Sequence, residues 1–350
     1  MSISVSFNEA RLATLALAKV GNPLRNEPLL TSKALCQFDD DEAELLTACF
    51  LKSFKSLELH QLKGSRGPGS NPLFEYTSAV FSNPGQLLSA SAEIAKHLYA
   101  KSHHPNIKSG DLCTALIEGI IVKGQATQGL CIIKSENKVP FLQVSEQEGD
   151  LVLTTQHGIY PDKIDKGCLV LNHGEDEGFV VYLFDKSGNT HFWNRDFAGA
   201  VPVRDEDYLT RRFGQLCVDF AQKGLPESVN EERRMAVAGK ALDYLNDNSK
   251  FEISDFEQNL DDPELIDQFT QFRKSHGEET GTVLEDQFNL SAPEARKAKR
   301  RLKGKLKLDT GAELHLSPAF IDRADDLLER GYDEEKKMHY LKIYFTEQLP

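Results

Sequence analysis

The feature that most limits the fold of this chain is a series of short apolar segments between residues 111 and 194, each typical of a β-strand. Two of them, DLCTALIEGIIV (111–122) and QGLCIIKSE (128–136), flank the turn-like KGQATQ (123–128) and predict a β-hairpin. The further segments are PFLQVSE (140–146), DLVLTTQ (150–156), KGCLVLNH (166–173), EGFVVYLFDK (177–186) and THFWN (190–194). Because turns rich in Gly, Asn and Asp separate these segments, we expect one largely antiparallel sheet.

Helical periodicity is found on both sides of these segments. DDDEAELLTACFLKSFKSLEL (39–59) has apolar residues at helical spacing and acids in its first turn, and GQLLSASAEIAKHLYAKSH (85–103) has a similar apolar face. Residues 1–60 are therefore predicted to contain helix with little strand. From Asp205 to about Asn259 the period is helical again, which predicts helices packed beside the sheet.

The domain organisation is predicted from the same change in period. A chain of 350 residues is long enough for two domains with separate cores, and GLPESVNEER (224–233) is the best candidate boundary. The predicted fold class is α+β: a largely antiparallel sheet with packed helices in residues 1–225, followed by a mainly helical domain in residues 226–350. This second domain is expected to contain a basic helix and to be closed by two strands, near 312–316 and 340–345.

The charge of the chain is distributed unevenly. Residues 291–310 carry eight basic and two acidic side chains, a net +6, so the remaining residues must carry −19 for the whole chain to reach its formal −13. The basic residues of this run are Arg296, Lys297, Lys299, Arg300, Arg301, Lys303, Lys305 and Lys307. An acidic body repels DNA everywhere except at such a basic element, so binding would be moderate and oriented.

The basic run is predicted to form a docked helix with an exposed basic face. Ser291 is a candidate N-cap, and Pro293 suits the first turn. The face predicted to pack on the core consists of Ala295, Ala298 and Leu302. A second face consists of Arg296, Lys299, Arg300 and Lys303. Such a stripe of charge suits DNA phosphates, whereas the structural alternative is a solvated face that pairs with acids elsewhere on the chain.

Four other basic residues are secondary candidates for contact with phosphates. They are Lys101, Lys108, Arg211 and Arg212. The two lysines lie in HLYAKSHHPNIKSGDL (97–112), and the two arginines flank the packed face of a predicted helix in which Phe213, Leu216 and Phe220 point inward.

No catalytic or metal-binding pattern in the sequence is complete. The histidines at 103–104 are predicted to belong to a helix-to-strand turn, because neighbouring residues rarely converge on one ion without a fixed third ligand. Asp162 and Asp165 resemble the carboxylates of restriction-type nucleases, but the next strand ends in Asp185 and Lys186 without the spacer residue that the nuclease pattern requires. A Walker loop and a G-x-S-x-G elbow are also missing. We therefore predict no metal, no cofactor and no enzymatic activity.

The single tryptophan and the six cysteines are expected to be structural. Trp193 in FWNRDF is predicted to anchor a core, with a stacking platform for single-stranded nucleic acid as the alternative. The cysteines are widely spaced and include no C-x-x-C pair, so free buried thiols in a reducing cytoplasm are expected.

Several blocks of the sequence resemble a known protein family in their order and spacing. The blocks are HPNIKSGDL (104–112), IIKSENKVPFLQV (132–144), IDKGCLVLN (164–172), WNRDFAGAVPVRDEDYLT (193–210) and RGYDEEKKMHYLKIYF (330–345). Together they resemble the bacterial nucleoid-associated proteins of the YejK or NdpA-like family, over nearly the whole chain. The resemblance implies a protein of the bacterial chromosome that binds DNA and has no known catalytic reaction.

These observations predict a cytoplasmic, nucleoid-located protein that binds the phosphate backbone of double-stranded DNA with little base readout. Two alternatives stay open: an acidic scaffold whose basic helix holds a protein partner, and a metal-dependent nuclease. The resemblance and the open edges expected of the sheet favour a homodimer. No apolar run approaches the roughly 20 residues that a membrane helix needs, so no membrane partner is expected.

Overall fold

The computed structural model of the protein describes residues 3–54, 57–160, 163–188, 191–280, 284–302, 304–317, 320 and 323–347, with the backbone alone for residues 232, 304–307, 324 and 325. The chain forms two compact units, Ile3–Val203 and the residues from Arg204 onward, which we call the sheet unit and the helical unit. The fold class is α+β, as predicted.

The division between the units differs from the boundary expected near residue 226. It lies ahead of the helix at Glu206–Asp219, which the sequence placed in the first domain. This helix buries Tyr208, Phe213 and Leu216 in the core of the helical unit, and that burial is the physical reason for the earlier division.

The sheet unit is built around one antiparallel sheet. Its strands, in chain order, are β1 (Val5–Ser6), β2 (Arg11–Val20), β3 (Leu29–Thr31), β4 (Leu59–Leu62), β5 (Gly110–Val122), β6 (Gln125–Ser135), β7 (Val139–Gln147), β8 (Asp150–Gly158), β9 (Lys166–Leu171), β10 (Val180–Asp185) and β11 (Ala200–Pro202). The central sheet has the order β11-β4-β10-β9-β6-β5-β2-β3, and β1 also pairs with β5. The predicted hairpin of β5 and β6 is confirmed, with Leu116 opposite Leu130.

Helices cover both faces of the central sheet. Their bounds are α1 (Asp40–Leu51), α2 (Pro72–Ser82) and α3 (Leu87–Lys101). Ile94 of α3 joins a core with Leu116 and Ile132, whereas Phe50 of α1 joins a core with Ile117, which lies on the opposite face of β5. Because both faces are covered, β9 and β10 do not alternate with polar residues: β9 is uncharged from Gly167 to Leu171, and β10 is apolar from Val180 to Phe184.

Three segments of the sheet unit differ from their predictions. Strands β7 and β8 form a separate two-stranded hairpin that, among the described residues, pairs with no strand of the central sheet. Residues 191–194 of the predicted strand THFWN lie in a π-helical turn at His191–Phe197, because Phe192, Trp193 and Phe197 all point into the core and do not follow a period of two; Thr190 lies outside the described residues. Residues 1–60 were expected to contain little β-strand, but they include the ten-residue strand β2.

The helical unit contains most of the remaining helices. They are α4 (Glu206–Asp219), α5 (Glu231–Asp247), α6 (Ile253–Leu260), α7 (Pro263–Thr280), α8 (Ala292–Arg301) and α9 (Ala324–Leu327). Its strands are β12 (Lys250–Glu252), β13 (Gln287–Asn289), β14 (Gly304–Lys307), β15 (Glu313–Leu316), β16 (Leu328–Asp333) and β17 (Met338–Ile343). The two predicted closing strands correspond to β15 and β17. Each pairs with the strand just before it in the chain, so the region ends in two separate hairpins.

An aromatic core holds the helical unit together. Phe213 of α4 lies at its centre, with its ring centroid 4.1 Å from that of Phe251, 5.2 Å from Phe256 and 6.1 Å from Phe269. The Phe213–Phe256 pair is edge-to-face, and such a contact adds to the hydrophobic stabilisation of the buried rings. The inward direction predicted for Phe213 is therefore confirmed, and α4 is fixed as the support on which α8 packs.

Candidate nucleic-acid interface

The basic helix α8 lies against α4 and α5 through small apolar side chains. Ala295 and Leu302 are buried, and Ala298 packs against the same core. The approach to α4 is close, because a Cβ atom placed on Gly214 would lie only 3.1 Å from the Cβ of Ala298. The predicted inward face of the helix is confirmed, so its basic residues are carried by a helix that is docked on the core.

The start of α8 is fixed by α4 and not by the capping bond that the sequence suggested. Ser291 occupies the N-cap position, but its side chain makes no capping hydrogen bond. Its backbone N–H instead donates to the buried Oγ1 of Thr210, over 2.9 Å. Pro293 stands in the first turn, where the absence of an N–H costs no helical hydrogen bond.

Two lysines of the basic run are neutralised by neighbouring acids. Glu294 lies between Arg211 and Lys297, with its oxygens 3.1 Å from Arg211 Nε and 3.2 Å from Lys297 Nζ. Lys299 donates to the carboxylate of Asp243 on α5. Lys299 therefore lies at the flank of the helix and not on the solvent stripe predicted for it.

Three arginines of α8 remain directed to solvent. Arg296, Arg300 and Arg301 are exposed, and none of them forms an ion pair with a residue that the structure describes. Arg296 and Arg300 are one helical turn apart, about 6 Å along the axis. Arg300 and Arg301 also stand in the last turn, where positive charge is favoured by the helix dipole. We call these three residues the arginine face.

The rest of the basic run continues beyond the helix in a different conformation. The helix ends at Arg301, whereas the sequence predicted helical structure to about residue 308. Lys303 lies outside the described residues. Lys305 and Lys307 belong to β14, where their backbones pair with those of His315 and Glu313 of β15.

The four secondary candidates are divided between the two units. Arg211 and Arg212 lie on α4 in the helical unit, and the guanidinium of Arg212 is 5.2 Å from the ring centre of Tyr208. Lys101 is the exposed last residue of α3 in the sheet unit. Lys108 is also exposed there, and its Nζ donates to Asn137 Oδ1 over 3.2 Å.

The histidine-rich segment forms the predicted turn. The buried Asn22 side chain donates from Nδ2 to the carbonyl oxygens of His104 and Ile107, at 2.9 and 2.8 Å, and so closes the turn between α3 and β5. His97 is half-buried beside Phe197, and burial lowers the pKa of its imidazole. Among the described residues, no group of three His, Cys, Asp or Glu side chains could hold a metal ion.

The sheet unit contains a group of buried charges that the sequence did not predict. We call it the buried charge cluster; its members are Lys134, Glu136, Asp165, Lys166 and Asp185. Lys134 Nζ donates to Glu136 Oε1 over 2.8 Å, and Lys166 Nζ donates to Asp185 Oδ1 over 3.0 Å. Burial lowers the pKa of the Lys134 ammonium group, against the opposing effect of Glu136. The signal in the sequence was the occurrence of Lys, Glu and Asp within or directly beside the ends of otherwise apolar strands.

The cluster shows the structural role of Asp165, one of the two carboxylates of the incomplete nuclease-like pattern. Asp165 Oδ2 accepts the backbone N–H groups of Glu136 and Asn137, at 2.7 and 3.1 Å, and its Oδ1 accepts Asn137 Nδ2 at 2.6 Å. These bonds occupy both oxygens of Asp165, which holds the end of β6 in place. Asp162, the other carboxylate of the pattern, lies outside the described residues.

Trp193 and the cysteines have structural positions. The Trp193 ring is fully buried, and its Nε1 donates to the Gly167 carbonyl over 2.9 Å, which confirms the core anchor and removes the stacking platform. All six cysteines are free thiols, and burial raises the pKa of Cys113 to about 12. A thiol with so high a pKa is a poor nucleophile at neutral pH.

The structure is an α+β fold that carries a docked basic helix on an otherwise acidic chain. The sequence model of the family described as "Nucleoid-associated protein YejK" matches residues 20–338, so the chain belongs to that family. The family is not a known enzyme family. A search of curated proteins found no match. Within the described part of the chain, no helix combines the length and apolar character needed to span a membrane.

Proposed function

We propose that this protein binds double-stranded DNA through the arginine face of α8 and acts as a non-enzymatic component of the bacterial nucleoid. The observation that carries the proposal is the contrast between the three solvent-directed arginines and the acidic chain that bears them. A guanidinium group is always charged and can donate two parallel hydrogen bonds to a phosphate.

The proposed recognition is of backbone charge, with little reading of base sequence. Phosphate contacts position a protein on the duplex but carry no direct sequence information. The remaining −19 of charge on the chain would repel DNA from other surfaces and so favour approach at α8. We therefore expect similar affinity for unrelated duplex sequences.

The other candidate residues are assigned supporting contacts. They are Lys297, Lys299, Lys303, Lys305, Lys307, Arg211, Arg212, Lys101 and Lys108. Lys297, Lys299 and Arg211 already have carboxylate partners, so each should add less to binding than an arginine of the arginine face.

We also propose that the protein is a cytoplasmic homodimer located on the nucleoid. The support for the homodimer is the open sheet, whose end strands β3 and β11 have only three residues each and leave their outer edges without a strand partner among the described residues. The support for the location is the family to which the chain belongs.

One titration separates this function from its two alternatives. A labelled duplex is titrated with the protein from about 50 mM to about 200 mM salt, with and without magnesium. Three to five neutralised phosphates predict that the logarithm of the association constant falls against the logarithm of salt with a slope between about −2.7 and −4.5. Absence of binding at the lowest salt would favour the protein scaffold, and magnesium-dependent cutting of the duplex would favour the nuclease.

A further inference from the structure

One end of the central sheet carries a lysine from each of five neighbouring strands. The strands β10, β9, β6, β5 and β2 are adjacent in this order. The backbone of Lys166 pairs with both Asp185 and Lys134, so the ends of β10 and β6 lie beside the start of β9. Each lysine lies on its strand or within three residues of it. We call these residues the lysine row; in strand order they are Lys186, Lys163, Lys138, Lys108 and Lys19.

All five lysines of the row are exposed, but they differ in their partners. Lys138 Nζ lies 2.9 Å from Asp111 Oδ2, so its charge is paired. The other four form no ion pair with a residue that the structure describes. Three of these four contact neutral side chains: Lys108 contacts Asn137, Lys163 contacts the ring of Tyr160, and Lys186 contacts Ser53. The row therefore presents four positive charges at the surface without carboxylate partners among the described residues.

The opposite end of the same strands has the opposite charge. It carries the exposed residues Glu9, which precedes β2, and Glu175, Asp176 and Glu177, which lie between β9 and β10. The three carboxylates of the buried charge cluster lie near the lysine row, but they already face two buried lysines of their own. Residues 3–203 contain 18 basic and 23 acidic residues, so the positive charge of the lysine row is a local feature of an acidic unit.

We propose that the lysine row is a second surface for the phosphate backbone of double-stranded DNA, in addition to the arginine face of the helical unit. This inference rests on the proposed function and names a further surface for the same ligand. Lysine is a compact point charge on a flexible stem, which suits a backbone that presents negative charge at regular intervals. A protein partner fits less well, because lysine is depleted in protein–protein interfaces, whose centres are apolar or aromatic.

The length of the lysine row sets the number of phosphates that it can contact. Neighbouring strands are about 4.8 Å apart, so five strands span about 19 Å. Over this length one strand of a duplex passes about five phosphates, each about 3.4 Å further along the axis. Because the backbone of a duplex curves away from a row of fixed strand ends, we expect one or two close contacts. Together with the arginine face, these contacts stay within the three to five phosphates expected for the whole protein.

The first test removes three unpaired charges of the row by changing Lys108, Lys163 and Lys186 to Gln. The slope of the logarithm of the DNA association constant against the logarithm of salt should flatten by about 0.9–1.8, because each lost phosphate contact removes roughly 0.9. In the matched control the slope should change by less than about 0.5. The control changes three exposed lysines of the same unit that lie outside the row, Lys33, Lys63 and Lys123, to Gln. Circular dichroism verifies that both variants are folded.

The second test locates the bound DNA directly. The photoreactive residue benzoylphenylalanine, placed at position 163, should cross-link to a labelled duplex at about 50 mM salt, where backbone contacts are strong. The same residue at position 123 is the control and should give no cross-link. Lys123 is also exposed, but it lies in the turn between β5 and β6, at the acidic end of the strands.

The outcomes separate this surface from the function on which it rests. A wild type that binds no duplex at about 50 mM salt overturns both the proposed function and the lysine row. If the wild type binds, a folded lysine variant with the slope of the wild type, or the absence of a cross-link from position 163, overturns the lysine row alone. Either of these results would favour an acidic protein partner for the lysines and leave the proposal for α8 unchanged.

Discussion

The buried charge cluster of the sheet unit and the arginine face of the helical unit use similar side chains in opposite ways. In the cluster, Lys134 and Lys166 are almost completely buried, and each donates to a carboxylate that is equally buried. On α8, Arg296 and Arg300 are exposed and have no carboxylate partner among the described residues. The difference shows that the role of a cation depends on its partner. A cation that is paired with a buried carboxylate stabilises the fold, whereas an exposed cation without such a partner can bind a ligand.

The two groups should also differ in what they contribute to stability. Removal of one member of a buried ion pair leaves an uncompensated charge in the interior and is strongly destabilising. An exposed arginine without a partner contributes little to the free energy of unfolding. Substitutions can therefore separate structural charge from functional charge in this molecule.

The largest expected effect is the loss of stability in Lys166→Ala. This change leaves Asp185 without its cation and should reduce the free energy of unfolding by about 3–5 kcal/mol, measured by urea denaturation. Lys96→Ala is the matched control, because the Lys96–Glu93 pair is on the surface and should contribute less than about 1 kcal/mol. Equal losses in the two variants would contradict the structural role of the cluster.

An intermediate effect is expected for Thr210→Val, which removes the acceptor for the Ser291 N–H at the start of α8. A buried donor without a partner should reduce the free energy of unfolding by about 1–3 kcal/mol and increase amide exchange at Ser291. The control is Thr270→Val, since the Thr270 hydroxyl is exposed and bonds only within its own helix. Unchanged exchange at Ser291 would show that α4 does not fix the start of α8.

The smallest expected effect concerns the ion pair between Lys299 and Asp243. Asp243→Asn releases the lysine, so the slope of DNA affinity against salt should become steeper by up to about 0.9, while the free energy of unfolding changes by less than about 1 kcal/mol. Lys299→Gln should flatten the slope by less than Arg300→Gln does. A larger loss for Lys299→Gln would mean that its pairing with Asp243 does not limit its contact with DNA.

Local features of the sequence were sufficient to predict several elements. The apolar face of α3, the hairpin of β5 and β6 and the inward face of α8 depend on periodicity and turn residues that lie close together in the chain. Strand β2 was missed because RLATLALAKV is rich in Ala and Leu, which favour helices, and only its place between β5 and β3 makes it a strand.

The candidate site could be predicted only in part for a related reason. The carboxylates that neutralise Lys299 and Arg211 are 56 and 83 residues away along the chain, so no local pattern could identify them. The sequence therefore predicted a basic face that included Lys299, whereas the fold limits the unpaired cations of α8 to three arginines. The buried charge cluster joins residues 134–136, residues 165–166 and Asp185, and it was missed because these three segments are far apart in sequence.

The most direct test of the central claim is the salt dependence of DNA binding in a variant with Arg296, Arg300 and Arg301 changed to Gln. Its control changes Lys223, Arg233 and Lys336 to Gln, which removes the same charge from exposed positions of the same unit. We expect the arginine variant to remain folded. The slope of the logarithm of its association constant against the logarithm of salt should flatten by about 2.7, because each lost phosphate contact removes roughly 0.9. In the control, the same slope should change by less than about 0.5. A folded arginine variant with the slope of the wild type would contradict the account and make α8 a surface for a protein partner.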